Sequence, residues 1–139
     1  MKTAKLIFCF LLVALLSCAA LAQDTSKRKL IEIYRIAPGK HVEFLKIIAQ
    51  FDEANRVAGV PPRDLYVHSD GASWDFMLIQ PAELTDEQSK AVSEASKKLN
   101  LPRGAKFFVQ FRANVAEHSD TFAEGPITAK EYLSRLEEK

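Results

Sequence analysis

Apolar residues along this chain fall into short runs of changing period, and the period assigns the elements. Leu30-Ile31-Glu32-Ile33-Tyr34-Arg35-Ile36 is rich in β-branched and aromatic residues and is closed by Pro38-Gly39, which predicts a first strand. Phe44, Leu45, Ile48, Phe51 and Ala54 or Val57 then recur at spacings of three and four, with Lys46, Gln50 and Glu53 between them, the signature of an amphipathic helix. Gly59 and Pro61-Pro62 end it, because proline lacks the backbone donor that a continuing helix requires. Leu65 to His68 and Trp74 to Ile79 read as two strands joined through Asp70-Gly71, a hairpin signal, with Pro81 closing the second.

Thr85 and Gln88 have capping-box spacing and open a helix to about Leu99, whose apolar side is the narrow set Ala91, Val92, Ala95 and Leu99. After a turn at Leu101-Pro102-Arg103-Gly104, Phe107, Val109, Phe111, Ala113 and Val115 alternate with Lys106, Gln110, Arg112 and Asn114, which predicts the last strand. Residues 116–126 are polar and read as a tail. Thr128 and Glu131 form a second capping box with Ile127 and Tyr132 at staple positions, predicting a short terminal helix.

The two ends change the picture of where the domain begins. Met1-Lys2-Thr3-Ala4-Lys5 precedes an uncharged apolar run from Leu6 to Leu16, shorter than the about 20 residues that span a bilayer. Ala20-Leu21-Ala22 then fits a cleavage site. The expectation is an exported protein, periplasmic or secreted, with a signal peptide at 1–22, a linker at 23–29, a domain at 30–115 and a tail with a short helix at 116–139. Leu15-Leu16-Ser17-Cys18 offers a rival, lipobox-like site, and only acylation of Cys18 would give the protein a membrane anchor.

Both cysteines, Cys9 and Cys18, fall in the leader, so the mature chain has no disulfide, thiolate nucleophile or cysteine metal ligand. Without Lys2 and Lys5 the 19 basic residues become 17 against 18 acidic, a balance that argues against nucleic acid as a partner.

The element order strand, helix, strand, strand, helix, strand is that of an α+β, ferredoxin-like fold with a four-stranded antiparallel sheet and an extra C-terminal helix. A sheet buried on one face should alternate strictly. Two strands do not: Trp74, Phe76 and Leu78 oppose Met77 and Ile79, and Leu30, Tyr34 and Ile36 oppose Ile31 and Ile33. Leaving such side chains wet forfeits about 1.5–3 kcal/mol for each fully buried equivalent, so a second copy of the sheet is expected as cover. The expected partner is thus a second chain, in a homodimer.

Ile31-Glu32-Ile33-Tyr34-Arg35, followed by Pro38-Gly39-Lys40 and the helix through Phe44, resembles the opening of the dimeric α/β-barrel superfamily, in its NIPSNAP-like and antibiotic-biosynthesis-monooxygenase-like branches. The resemblance covers about residues 30–115. It implies two ferredoxin-like subunits pairing their sheets around an interior that holds a small apolar or aromatic ligand, sometimes haem. A cofactor-independent monooxygenase or isomerase and a haem-binding protein are the alternatives it carries; no cofactor is assigned from the residues.

Candidate ligand-binding residues are Tyr34, His68, Trp74, Gln110, Arg112, His118 and Asp120. On a strand at 107–115, Phe107, Val109 and Phe111 would face the helices and Phe108, Gln110 and Arg112 the opposite face. There they would join Tyr34, Glu32 and Trp74 as an apolar body with a few orienting polar groups. The plainer alternative pairs Arg112 with Glu32 across the sheet or at its edge and leaves Tyr34 and Trp74 as packing.

His68-Ser69-Asp70 and His118-Ser119-Asp120 repeat one tripeptide. Each offers at most two ligands and the topology keeps the two apart, so no metal site is expected. His118 and Asp120, in the tail, could belong to a loop over a ligand mouth, and His41 reads as solvated. Nucleophile elbow, phosphate loop, dinucleotide fingerprint and HExxH are all absent from the sequence.

Overall fold

A computed structural model describes residues 28–71 and 73–137. The expected signal peptide, and all but the last two residues of the expected linker, lie outside the described residues. Eight elements follow in order: β1 (Arg28–Ile36), α1 (His41–Val57), β2 (Asp64–Val67), β3 (Phe76–Pro81), α2 (Asp86–Lys98), α3 (Gly104–Arg112), β4 (Val115–Glu124) and α4 (Ala129–Glu137). The strands form one antiparallel sheet in the order β2-β3-β1-β4, the ferredoxin-like arrangement and an α+β architecture.

Local sequence chemistry accounts for most boundaries. Gly59, at φ 70°, takes the left-handed turn that ends α1. The Thr85 hydroxyl accepts from the Gln88 N–H while the Gln88 side chain accepts from the Thr85 N–H, the capping box that starts α2. The Thr128 hydroxyl accepts from the Glu131 N–H and the Glu131 carboxylate from the Thr128 N–H, starting α4 the same way.

The core lies between the sheet and α1. Tyr34 and Ile36 of β1 and Phe76 and Leu78 of β3 point to one face and pack with Phe44 and Ile48 of α1, all six buried. Phe44 and Phe76 stack with centroids 5.6 Å apart, and Tyr34 meets Phe44 at 4.9 Å. The opposite face carries Ile31, Ile33, Met77 and Ile79, each half-buried, with Tyr66 largely exposed. Helix α4 does not cover it by its apolar side, since Tyr132, Leu133 and Leu136 are all more than half exposed.

One element departs from expectation. The run through Phe107 and Phe111 is helix α3, and the fourth strand is the polar stretch after it, Val115–Glu124. The alternation at 107–115 is genuine, but Phe107, Phe108 and Phe111 also fit one side of a helix, and the two periods cannot be told apart over so short a run. The sheet decides between them. β1 is nine residues long and residues 115–124 pair with it along its whole length, from Arg28 opposite Glu124 to Ile36 opposite Val115. As an edge strand, β4 leaves its outer backbone edge unpaired, and its polar and charged residues, such as Glu117, Ser119 and Thr121, discourage further strand pairing. Its polarity makes it look like a tail in the sequence.

Candidate functional site

The register of β1 against β4 builds a four-residue cluster on the helix-facing side of the sheet. Tyr34 lies opposite His118 and Glu32 opposite Asp120, and residues two apart on a strand share a face. The Tyr34 and His118 rings stack at 4.3 Å with planes 11° apart. The Tyr34 hydroxyl donates to Glu32 Oε1 at 2.8 Å, and the Gln80 amide from β3 donates to Glu32 Oε2 at 2.7 Å. Asp120 Oδ1 lies 2.6 Å from His118 Nε2. That contact has the length of a hydrogen bond but not its angle, so this enclosed nitrogen is left without a hydrogen-bond partner.

Helices α1 and α3 stand over this floor without filling the space between. Ile47, Ile48 and Phe51 descend from α1 and Phe107, Phe108, Phe111 and Arg112 from α3, leaving a half-open cleft of about 440 Å³. Phe51 meets Phe107 at 5.0 Å, Phe107 meets Phe111 at 5.8 Å, and Phe111 sets its edge on Tyr34 at 6.0 Å. The result is an aromatic wall around a polar floor, the composition of a small-molecule pocket.

Two arginines flank it. Arg63, only 11% exposed, is held by Asp52 Oδ1 at 2.7 Å and the Ile48 carbonyl at 3.1 Å. Arg112 is exposed in the last turn of α3, and its side chain makes no hydrogen bond or ion pair among the described residues. Burial pushes the Tyr34 phenol well above its ordinary range, and the charge and hydrogen bond of Glu32 add to this. Tyr34 therefore stays protonated at neutral pH and donates its hydrogen bond to Glu32.

Of the seven candidate residues, Tyr34, Arg112, His118 and Asp120 converge on this cleft. The other three do not. His68 follows β2 at the far edge of the sheet and packs on Trp74 at 4.8 Å. Trp74 borders a separate hollow on the opposite face with Ile33 and Ser119. Gln110 is exposed on α3, and its carbonyl accepts from the Asn114 side chain at 2.9 Å.

The cleft is thus in the helix–sheet layer of one chain, whereas the sequence reading placed its lining on the opposite face. Misreading α3 as a strand is the cause. The cross-sheet pair of Arg112 with Glu32 is likewise absent, since Arg112 is on a helix. His41 is not merely solvated: its Nε2 lies 3.3 Å from Asp75 Oδ1.

Sequence reasoning missed Arg63, Phe51 and Phe107 as lining residues and the whole role of Asp75. The signal for the aromatic wall was present as Phe107, Phe108 and Phe111 on one helical side. For Arg63 no local signal exists, because a loop residue after two prolines acquires its position only from α1 folding beside it.

No protein-family model and no curated protein matches this chain. Solved structures similar to it include a NIPSNAP family protein from Agrobacterium tumefaciens, 13% identical over 73% of this chain and 88% of that one, with a TM-score of 0.48. A protein from Pseudomonas aeruginosa is 14% identical over 72% and 94%, with a TM-score of 0.47. An uncharacterised NIPSNAP domain protein from Burkholderia xenovorans is 17% identical over 73% and 96%, with a TM-score of 0.44.

Proposed function

We propose that this protein binds a small aromatic or otherwise apolar molecule in the cleft between α1, α3 and the β1–β4 floor, and, separately, that it forms a homodimer through the opposite face of the sheet. One observation carries the binding reading. Three phenylalanines of α3 and Phe51 of α1 surround a space they leave open, above polar groups fixed by the sheet register. Phe108 is 63% exposed at its rim, an arrangement that costs apolar hydration unless something occupies the cleft. The dimer reading rests on the half-buried Ile31, Ile33, Met77 and Ile79, which a second sheet would cover.

Titration with 1-anilinonaphthalene-8-sulfonate tests the cleft, since its rings need an apolar site and its sulfonate suits Arg112. Saturable enhancement at one equivalent per chain is expected. Phe108→Ala should weaken it about tenfold, equivalent to about 1.4 kcal/mol. The thermal midpoint should not move, because the side chain contributes little to the core. Equal affinity in the variant would exclude this cleft.

A further inference from the structure

The floor of the cleft holds three metal-ligating residues, two of which the sequence places 86 and 88 residues after the first. Glu32, His118 and Asp120 each offer one donor atom, and these atoms lie within 4.8 Å of one another. The His-x-Asp tripeptide alone supplies two ligands; sheet pairing of β1 with β4 brings the third, Glu32, directly opposite Asp120.

We propose that Glu32, His118 and Asp120 form a binding site for a divalent first-row transition ion. Four observations converge on it. First, His118 Nε2 is enclosed and has no hydrogen-bond partner, although a carboxylate oxygen lies 2.6 Å away. An enclosed nitrogen without a hydrogen-bond partner, in ion-pair range of a carboxylate, is a group that an ion bound to both would satisfy. Second, the two carboxylates face each other across the strand pair, and their neighbouring cations are committed or peripheral: Arg63 is taken by Asp52 and Arg112 stands at the rim. A dication between them neutralises that charge.

Third, the ligands are held from behind as metal ligands are. Tyr34 and Gln80 each donate to one oxygen of Glu32 and leave each oxygen a further lone pair, while the Tyr34 ring fixes the plane of His118 by stacking on it. Fourth, donors bound at about 2.1 Å to one ion sit about 3–4 Å apart, and the separations here bracket that range, none exceeding 4.8 Å and the His118–Asp120 pair, at 2.6 Å, needing to open slightly. One imidazole with two carboxylates suits Zn(II), Mn(II), Fe(II) or Co(II) and not a soft ion such as Cu(I). Three protein ligands leave coordination positions facing the cleft. The proposal concerns the floor of that cleft and holds whether or not an aromatic molecule enters above it.

The test is titration of the untagged, chelator-treated protein with Zn(II), read by calorimetry, and with Co(II), read by its visible absorption. One equivalent per chain with micromolar affinity is expected. His118→Ala and Glu32→Gln should each weaken it at least about tenfold. His68→Ala, in the matching tripeptide that lacks a third ligand, should change nothing. Glu32→Gln keeps the side-chain shape, so it remains informative if His118→Ala unfolds. Absence of heat and of a Co(II) spectrum at millimolar metal would overturn the proposal. So would binding that survives both ligand variants or is lost with His68→Ala.

Discussion

Asp75 shows how much one side chain can organise. Its Oδ2 accepts the Ile36 N–H at 2.6 Å, at the end of β1 where the strand turns toward α1, and its Oδ1 reaches His41 at 3.3 Å. The Ile36 N–H, and secondarily His41, hold its carboxyl below the ordinary value of 3.8. A depressed carboxyl contributes stability that is complete above the ordinary value and is lost as pH falls through the folded one.

Asp75→Ala should therefore cost about 1.5–3 kcal/mol at pH 7, the range for a hydrogen bond to a charged group. The gap should narrow toward pH 3, measured by urea unfolding at both values. A gap independent of pH would contradict the assignment. Nothing in the sequence marks Asp75, because its partner is a backbone donor 39 residues away. Tyr34, by contrast, was legible as a candidate because a polar aromatic stood in an apolar strand. What the sequence could not show is that Glu32 accepts its hydroxyl hydrogen bond and His118 stacks on its ring face.

Elements with their own punctuation were legible, and the pair without it was not. β1, α1, the β2–β3 hairpin and the two capped helices each carry a stop or start residue in the sequence. α3 and β4 carry competing signals: β-prone Phe and Val lie in the helix, and charged residues lie in the strand. Long-range pairing with β1 overrode both local preferences.

Val109 discriminates the two readings. As a strand residue facing the helices it would be core, and Val109→Ala would cost about 1–3 kcal/mol. On α3 it is 70% exposed, and alanine is the better helix former, so stability should hold or rise by up to about 0.7 kcal/mol. Chemical denaturation settles this, and a loss above 1 kcal/mol would contradict the helix. The same exchange explains why the candidate site was half visible. His118 and Asp120 are legible in the sequence as chemistry-bearing residues, but the polar run around them reads as a tail, which hides their meeting with Tyr34 and Glu32.

At the scale of the molecule, the two faces of the sheet differ in what covers them. One is packed by α1 and hollowed into the cleft beneath α3; the other presents Ile31, Ile33, Met77 and Ile79, and among the described residues no helix lies across them by its apolar side. If a second copy covers that face, sedimentation should give twice the chain mass, and Ile33→Glu should give the single-chain mass with an unchanged circular dichroism spectrum. A wild-type monomer at micromolar concentration would remove the dimer.

The cleft on the other face stands independently of that result. It is tested most directly by nuclear magnetic resonance of the protein with bound 1-anilinonaphthalene-8-sulfonate, reading through-space contacts from the probe's ring protons. Contacts to the rings of Phe108, Phe111 and His118 are expected. Contacts confined to Ile33, Met77 and Ile79, or none to α3, would show that the cleft is not the binding site.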